Sequence, residues 1–479
     1  MSTPVTTTPA SAAAAPLQAR TSPWPVFWIA SVAVFLVSLD GTMLFAAFGA
    51  LQQAFPSATA ADLSWVLNAY TVVYATMLVP AGGLADTHGR KRVFLAGVAL
   101  FLAASAACGL ADGVGLLIAA RVAQALGAAL LTPASLSIIL DAFPAEKRAV
   151  AVSLWGAVGG LAAAVGPSLG SLVVERFGWP WAFYINLPLG ALSLWFGAAR
   201  LRDVRSAPGD RGGRRVDVAG MLLLIVAVGA VAMAITQSDS PRWTRLELGV
   251  LVLTGFMALA AFVIWARHTA APLVDLALFA NRSYSLVNLA TLSFGMAFAI
   301  MFFSYFAYLT GIWHYSLPAA GLAVTPGPLT VVPTAIIAGR IAGRYGHRRV
   351  LVAGALVYAL SGLWLLLVPG LEPAYATEWL PGLLLSGAGV GMVLPSLSGA
   401  AVAQLPASQY AVGSAVNQAT RQLGAVLGVA VTVLCVGHAG LARADFLPLY
   451  GLHVSLALLT GALCLGVHTR GSRSAPSGG

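Results

Sequence analysis

The sequence is short of charge. Only 9% of its 479 residues are Asp, Glu, Lys or Arg, against roughly 25% in a soluble domain. Hydrophobic residues make up 59%, with mean hydropathy +0.86, which excludes an ordinary soluble fold. Lysine is nearly missing: Lys91 follows Arg90 and Lys147 follows Glu146, so no GxxxxGK[ST] loop exists to cradle the phosphates of ATP. Cysteine is scarce too. Cys108, Cys435 and Cys464 lie in separate apolar segments without CxxC spacing, so they read as packing residues. The histidines are scattered, His88 and His347 in connections and His314, His438 and His453 near the ends of apolar segments, and they read as solvated or interfacial. No metal-ligand cluster arises. A membrane-embedded enzyme would need convergent acids, histidines or a nucleophile, which are also missing. No enzyme activity, cofactor or metal is expected.

Long apolar runs fill the chain instead. A membrane-spanning helix takes about 20 residues, and fourteen such segments lie near 26–48, 63–84, 93–111, 115–139, 150–173, 182–199, 218–236, 247–266, 285–309, 318–340, 350–368, 380–402, 411–436 and 450–468. Many of the 51 glycines and 26 prolines sit inside them, as membrane helices tolerate. The expected class is an all-α polytopic membrane protein with no room for a folded extramembrane domain. Residues 1–25, a Thr/Ala/Pro tract whose sole charge is Arg20, and residues 470–479 are expected to be tails.

The net charge of +10 has a topological explanation. If the N-terminus is cytoplasmic, about 20 of the 26 basic residues fall on that side, among them Arg90, Lys91, Arg92, Arg344, Arg348 and Arg349. The outward connections keep Arg176, Arg242, Arg245 and Arg443. The positive-inside rule then places both termini in the cytoplasm, and no nucleic-acid partner is needed to account for the charge.

An internal repeat follows. GGLADTHGRKRVFLAG (82–97) aligns with GRIAGRYGHRRVLVAG (339–354), 257 residues apart. Both copies join the second and third helices of a six-helix block if the seventh and eighth spans are an insertion. Residues 26–200 then form one bundle, 201–283 a basic loop and two inserted helices, and 284–469 a second bundle. Parallel repeats of this kind imply two bundles rocking about a central midplane site.

With these residues the chain resembles the major facilitator superfamily and, within it, the fourteen-span drug/proton antiporter branch. Gly82 to Lys91 is similar to the superfamily's loop motif, Ala120-Arg-Val-Ala-Gln124 to its fourth-helix arginine motif, and Gly160 to Gly170 to the fifth-helix antiporter motif. Leu39-Asp-Gly-Thr42, Gly178 to Pro188 and Ala415 to Gly428 resemble signatures of the branch. Departures are Leu44-Phe-Ala-Ala-Phe, Ala125, Ser171 and Gly343, where the patterns usually differ. The resemblance implies two six-helix bundles plus two inserted helices in a bacterial inner membrane. It implies export of small lipophilic or amphipathic compounds such as drugs, antibiotics or dyes, driven by protons, by a chain expected to be monomeric. A dedicated exporter of one metabolite, antibiotic or lipid is the alternative.

Asp40 is the single acid deep inside a span. Such a residue is costly and is usually functional. Burial makes a carboxyl hold its proton and a neighbouring cation makes it release it. Arg121 lies at a similar depth, so the two are candidates for proton coupling; a structural aspartate bonded between helices is the other reading. Gly82, Asp86, Gly89, Arg90 and Asp141 are expected to form an ionic gate with a tight turn. Gly160, Gly166, Pro167 and Gly170 would bend the fifth helix and let a neighbour approach. Asn68, Tyr70, Gln124, Asn288, Tyr305, Asn417 and Arg421 are candidate substrate contacts, with lipid-facing or bracing roles equally open.

Overall fold

The computed structural model describes residues 22–201, 217–238, 242–270, 272–403, 405, 410–438 and 440–468. Most of the expected tails and the basic loop at 202–216 lie outside the described residues, as does the side chain of Asp86.

Fourteen helices are long and apolar enough to cross a membrane. They are α1 (Trp24–Ala54), α2 (Ala60–Ala85), α3 (Arg90–Gly109), α4 (Val114–Ala142), α5 (Leu154–Phe177), α6 (Trp181–Arg200), α7 (Val218–Thr236), α8 (Arg245–His268), α9 (Arg282–Gly311), α10 (Leu317–Tyr345), α11 (His347–Leu367), α12 (Tyr375–Val402), α13 (Val412–Val436) and α14 (Arg443–Leu465). Among the described residues there is no strand. The shortest helix has 19 residues, which at 1.5 Å per residue spans about 28 Å, close to the hydrocarbon thickness of a bilayer. The first helix opens at Trp24, inside the expected tail, because Pro25 near its start is preset for helical φ and gives up only a donor that has no partner there.

Two helices are broken where the sequence pattern reads as continuous. In α6, Trp181–Tyr184 and Asn186–Arg200 meet at Ile185. In α10, Leu317–Val324 ends two residues before Pro326, whose nitrogen carries no hydrogen to continue the ladder.

Successive helices reverse direction, so the α2–α3, α4–α5, α8–α9 and α10–α11 connections share one face, called here the basic face; the other is the far face. The α2–α3 and α10–α11 turns are built alike. Gly89 (φ 102°) and Gly346 (φ 85°) each end one helix and begin the next in a left-handed conformation that favours glycine.

Helices α1 to α6 pack mainly with one another, as do α9 to α14. Close approach of α3 and α4 depends on Gly97 and Gly127: a Cβ on Gly127 would sit 2.5 Å from the backbone nitrogen of Phe101. The corresponding α11–α12 contact uses Gly354 and Gly389. Gly127→Val is therefore expected to lose on the order of 1–3 kcal/mol or more through overpacking against an immovable backbone. Gly156→Ala, at a position open on all sides, should unfold with the wild type in a detergent thermal-shift assay. Equal melting of Gly127→Val and wild type would refute the close packing.

Between the bundles, the ring contacts and the α5–α10 hydrogen bond lie in the far-face half, while Tyr74 of α2 also hydrogen-bonds Gln418 of α13 towards the basic face. Phe45 meets Phe302 at 5.5 Å, Phe48 meets Phe303 at 4.8 Å, and the Ser168 hydroxyl of α5 hydrogen-bonds that of Thr325 at the α10 break. The bundles also meet along α2 and α13. There α7 leans on the seam, with Ala232 against Val72, Val426 and Ala430, while α8 packs on the outside of α7. Asp217 pins this hairpin: its carboxylate accepts from the Gly220 amide, the Trp265 indole of α8 and the Leu273 amide, each at 2.8 Å.

Candidate functional site

Inside the first bundle Asp40 and Arg121 meet. Arg121 Nη1 donates to Asp40 Oδ2 at 2.6 Å, and the two side chains are 1% or less exposed. Four helices build a cage around them. From α4, Gln124 Nε2 donates to Asp40 Oδ1 at 2.9 Å and to Ser105 Oγ at 2.8 Å, while its Oε1 accepts from Arg121 Nη1 at 2.5 Å. From α6, Asn186 Nδ2 donates to Asp40 Oδ1 at 3.2 Å. From α2, the Val66 carbonyl accepts from Arg121 Nε at 3.0 Å, and the Tyr70 ring lies 3.9 Å from the guanidinium carbon. The carboxylate thus has three donors, and the guanidinium keeps a carbonyl, an amide oxygen and an aromatic face besides its counter-ion. Asn186 Oδ1 and Tyr70 Oη have no partner.

The break in α6 positions Asn186. Helix Asn186–Arg200 begins at that residue, and the side chain is turned into the bundle with no exposure. Asn186 was not singled out in the sequence, although it lies in the motif Trp179-Pro-Trp-Ala-Phe-Tyr-Ile-Asn186; its carboxylate partner is 146 positions away.

Of the expected substrate contacts, Tyr70 and Gln124 are thus part of the Asp40–Arg121 cage. Asn68 is fully buried, and neither its amide nitrogen nor its oxygen has a partner. Asn288 and Asn417 are joined to each other: Asn417 Nδ2 donates to Asn288 Oδ1 at 3.2 Å and to Thr291 Oγ1 at 2.8 Å, bracing α13 on α9. Tyr305 packs on Trp379 within the second bundle, with ring centroids 5.3 Å apart. Arg421 is partly buried, its Nε has no partner, and it lies across the seam from Tyr74.

The expected gate residues fall into two groups. On the basic face Arg90 pairs with Asp141 and also donates to the Ser137 carbonyl at 3.5 Å, tying the α2–α3 turn to α4; a Cβ on Gly82 would lie 3.9 Å from Pro133, also in α4. In α5, a Cβ on Gly166 would press on Thr42 (3.0 Å to its Cβ) and one on Gly170 on Met43 (2.9 Å to its Cγ), the residues just after Asp40. The opposite side of α5 faces the second bundle, where a Cβ on Gly321 would be 2.6 Å from the Pro167 carbonyl. Gly160 looks towards Val332 at 4.0 Å. One helix therefore touches both the Asp40 segment and the seam.

His453 departs from the reading as solvated or interfacial. It is 1% exposed, because α14 starts at Arg443 rather than near 450 and so carries His453 into the bundle interior.

The chain matches the Major Facilitator Superfamily over residues 30–274 and 286–478, on both sides of the inserted hairpin's linker. It is 34% identical to the multidrug resistance protein Stp of Mycobacterium tuberculosis, over 83% of this chain and 73% of that protein. It is 32% identical to the tetracenomycin C resistance and export protein of Streptomyces glaucescens, over 86% and 76%. Among solved structures, the inward-open xylose transporter XylE from E. coli shares the fold at TM-score 0.65, with 14% identity over 95% of this chain and 98% of that one. With matched segments in both bundles and relatives above 30% identity over most of their length, the chain belongs to the Major Facilitator Superfamily, among its drug-exporting members.

Proposed function

We propose that the protein exports small lipophilic or amphipathic compounds in exchange for protons, by alternating access between its two bundles. The observation that carries this is the buried Asp40–Arg121 pair. A buried ion pair adds little to stability over an apolar replacement, so its retention in a span reads as function. Protonation of Asp40 would cancel the attraction to Arg121, which still has the Val66 carbonyl, Gln124 Oε1 and the Tyr70 ring to hold it. The new hydroxyl needs an acceptor, and the unpartnered Asn186 Oδ1 supplies one after a turn of that amide. The change reaches the seam through α5, which packs on Thr42 and Met43 on one side and meets α10 on the other.

The basic face is assigned to the cytoplasm of a bacterial cell by its excess of arginine, with both termini there and the bundles acting as 26–200 and 284–469. The ring contacts of α1 with α9 and the α5–α10 hydrogen bond in the far-face half then read as a state closed to the outside. The chain is taken to work as a monomer.

Everted membrane vesicles containing the wild type should accumulate ethidium on energisation, release it when a protonophore is added, and lose luminal protons as ethidium enters. Accumulation that survives the protonophore would sink proton coupling. A second reading, a dedicated exporter, is favoured by relatives named for single antibiotics, such as the methylenomycin A resistance protein of Streptomyces coelicolor at 30% identity. Resistance to one compound alone in a susceptibility panel would select it.

A further inference from the structure

The cage around Asp40 has a counterpart in the second bundle. The 257-residue repeat offset carries Trp24–Ala54 onto 281–311, within one residue of the observed Arg282–Gly311, and places Asp40 on Ala297. In the first bundle Asn186 of α6 reaches Asp40, and seven residues on Ser193 Oγ donates to the Ile29 carbonyl of α1 at 3.0 Å. In the second, His453 of α14 reaches Ala297, and seven residues on Thr460 Oγ1 donates to the Ala290 carbonyl of α9 at 3.5 Å. His453 therefore lies near the place that Asn186 holds in the first bundle, about one turn out of register because the same offset carries Ile29 onto 286 rather than 290, and it meets a backbone carbonyl where Asn186 meets the carboxylate.

Both nitrogens of this buried ring face carbonyl oxygens, Nδ1 that of Ala297 at 3.3 Å and Nε2 that of Tyr358 at 3.0 Å. A neutral imidazole has one N–H and one lone pair, so one contact must set lone pair against lone pair. An imidazolium has two N–H groups and fills both. From α11 the Tyr358 ring packs at 4.4 Å and its phenol is the titratable group facing the imidazole; α9 presents Ala297, and α14 carries Tyr450 one turn away. Among the described residues no charged side chain acts on the ring. We propose that His453 is a second proton-binding site, taking a proton on its lone-pair nitrogen to become an imidazolium held between two carbonyls. The site stands apart from the coupling assigned to Asp40.

Nitrogen-15 NMR of histidine-labelled protein in lipid nanodiscs tests this without requiring transport. The His453 signals are identified by their loss in His453→Asn, or in His453→Gln should the first variant not accumulate. Between about pH 8 and pH 4, reaching below the range in which free histidine titrates because burial opposes a charged ring, the widely split pair of neutral-ring nitrogens is expected to shift to two closely spaced protonated ones. A single neutral tautomer unchanged over that range would overturn the proposal. The same titration in Asp40→Asn should persist; its disappearance there would overturn an independent site and assign the proton to the Asp40 cage.

Discussion

Asp40→Asn is expected to cut gradient-driven ethidium efflux by on the order of 100-fold or more, equivalent to about 2.7 kcal/mol, while the protein still reaches the membrane. Asparagine keeps one oxygen for Arg121 but replaces the other with an amino group. In the wild type that second oxygen accepts from Gln124 at 2.9 Å and Asn186 at 3.2 Å, so two donors would now face a third. Asn186 can relieve its share by turning its amide, whose oxygen is unpartnered. The substitution is thus tolerable for folding, yet it leaves no group to take and release the proton. Efflux from everted vesicles, normalised to the amount of transporter in the membrane, gives the answer. Normal, protonophore-sensitive efflux in the variant would move coupling away from this aspartate.

Arg121→Met should be more damaging to stability than Asp40→Asn. It leaves a carboxylate with 0% side-chain exposure and no counter-ion, a loss of roughly 3–5 kcal/mol for a broken buried pair. The double variant Asp40→Asn/Arg121→Met removes both charges and should recover most of that stability without recovering transport. Thermal unfolding in detergent together with vesicle efflux separates the two roles. A double variant as unstable as Arg121→Met alone would make the pair a brace, and one that still couples efflux to the gradient would remove it from the mechanism.

The helices were legible because hydropathy sets spans directly, and the Asp40–Arg121 pair was legible because two opposite charges at one depth have few other partners. The cage was less so. Val66 takes part through its carbonyl, which no side-chain pattern announces, and Asn186 depends on a helix break at Ile185 that hydropathy does not register. Tyr70 and Gln124 stood out as polar residues in spans, but polarity alone does not separate a residue that holds an arginine from one that touches a substrate. His453 was misplaced for a different reason. Arg443 and Asp445 occupy the first turn of α14, and charges at a helix start push a hydropathy boundary inward past residues that are already helical. For α5, the glycines marked close packing, while the identity of each neighbour, α1 on one side and α10 on the other, emerged only from the tertiary arrangement.

The hairpin pinned by Asp217 occupies the α2–α13 seam and not the α5–α10 seam. A bundle pair with internal two-fold likeness is thereby made one-sided toward the lipid around it. A compound dissolved in the bilayer finds one flank walled by α7 and α8 and the other bordered by the helix that carries the fifth-helix glycines. Under the proposed function, a compound entering from the bilayer would find the α5–α10 flank free of the hairpin, beside the same helix that touches the Asp40 segment.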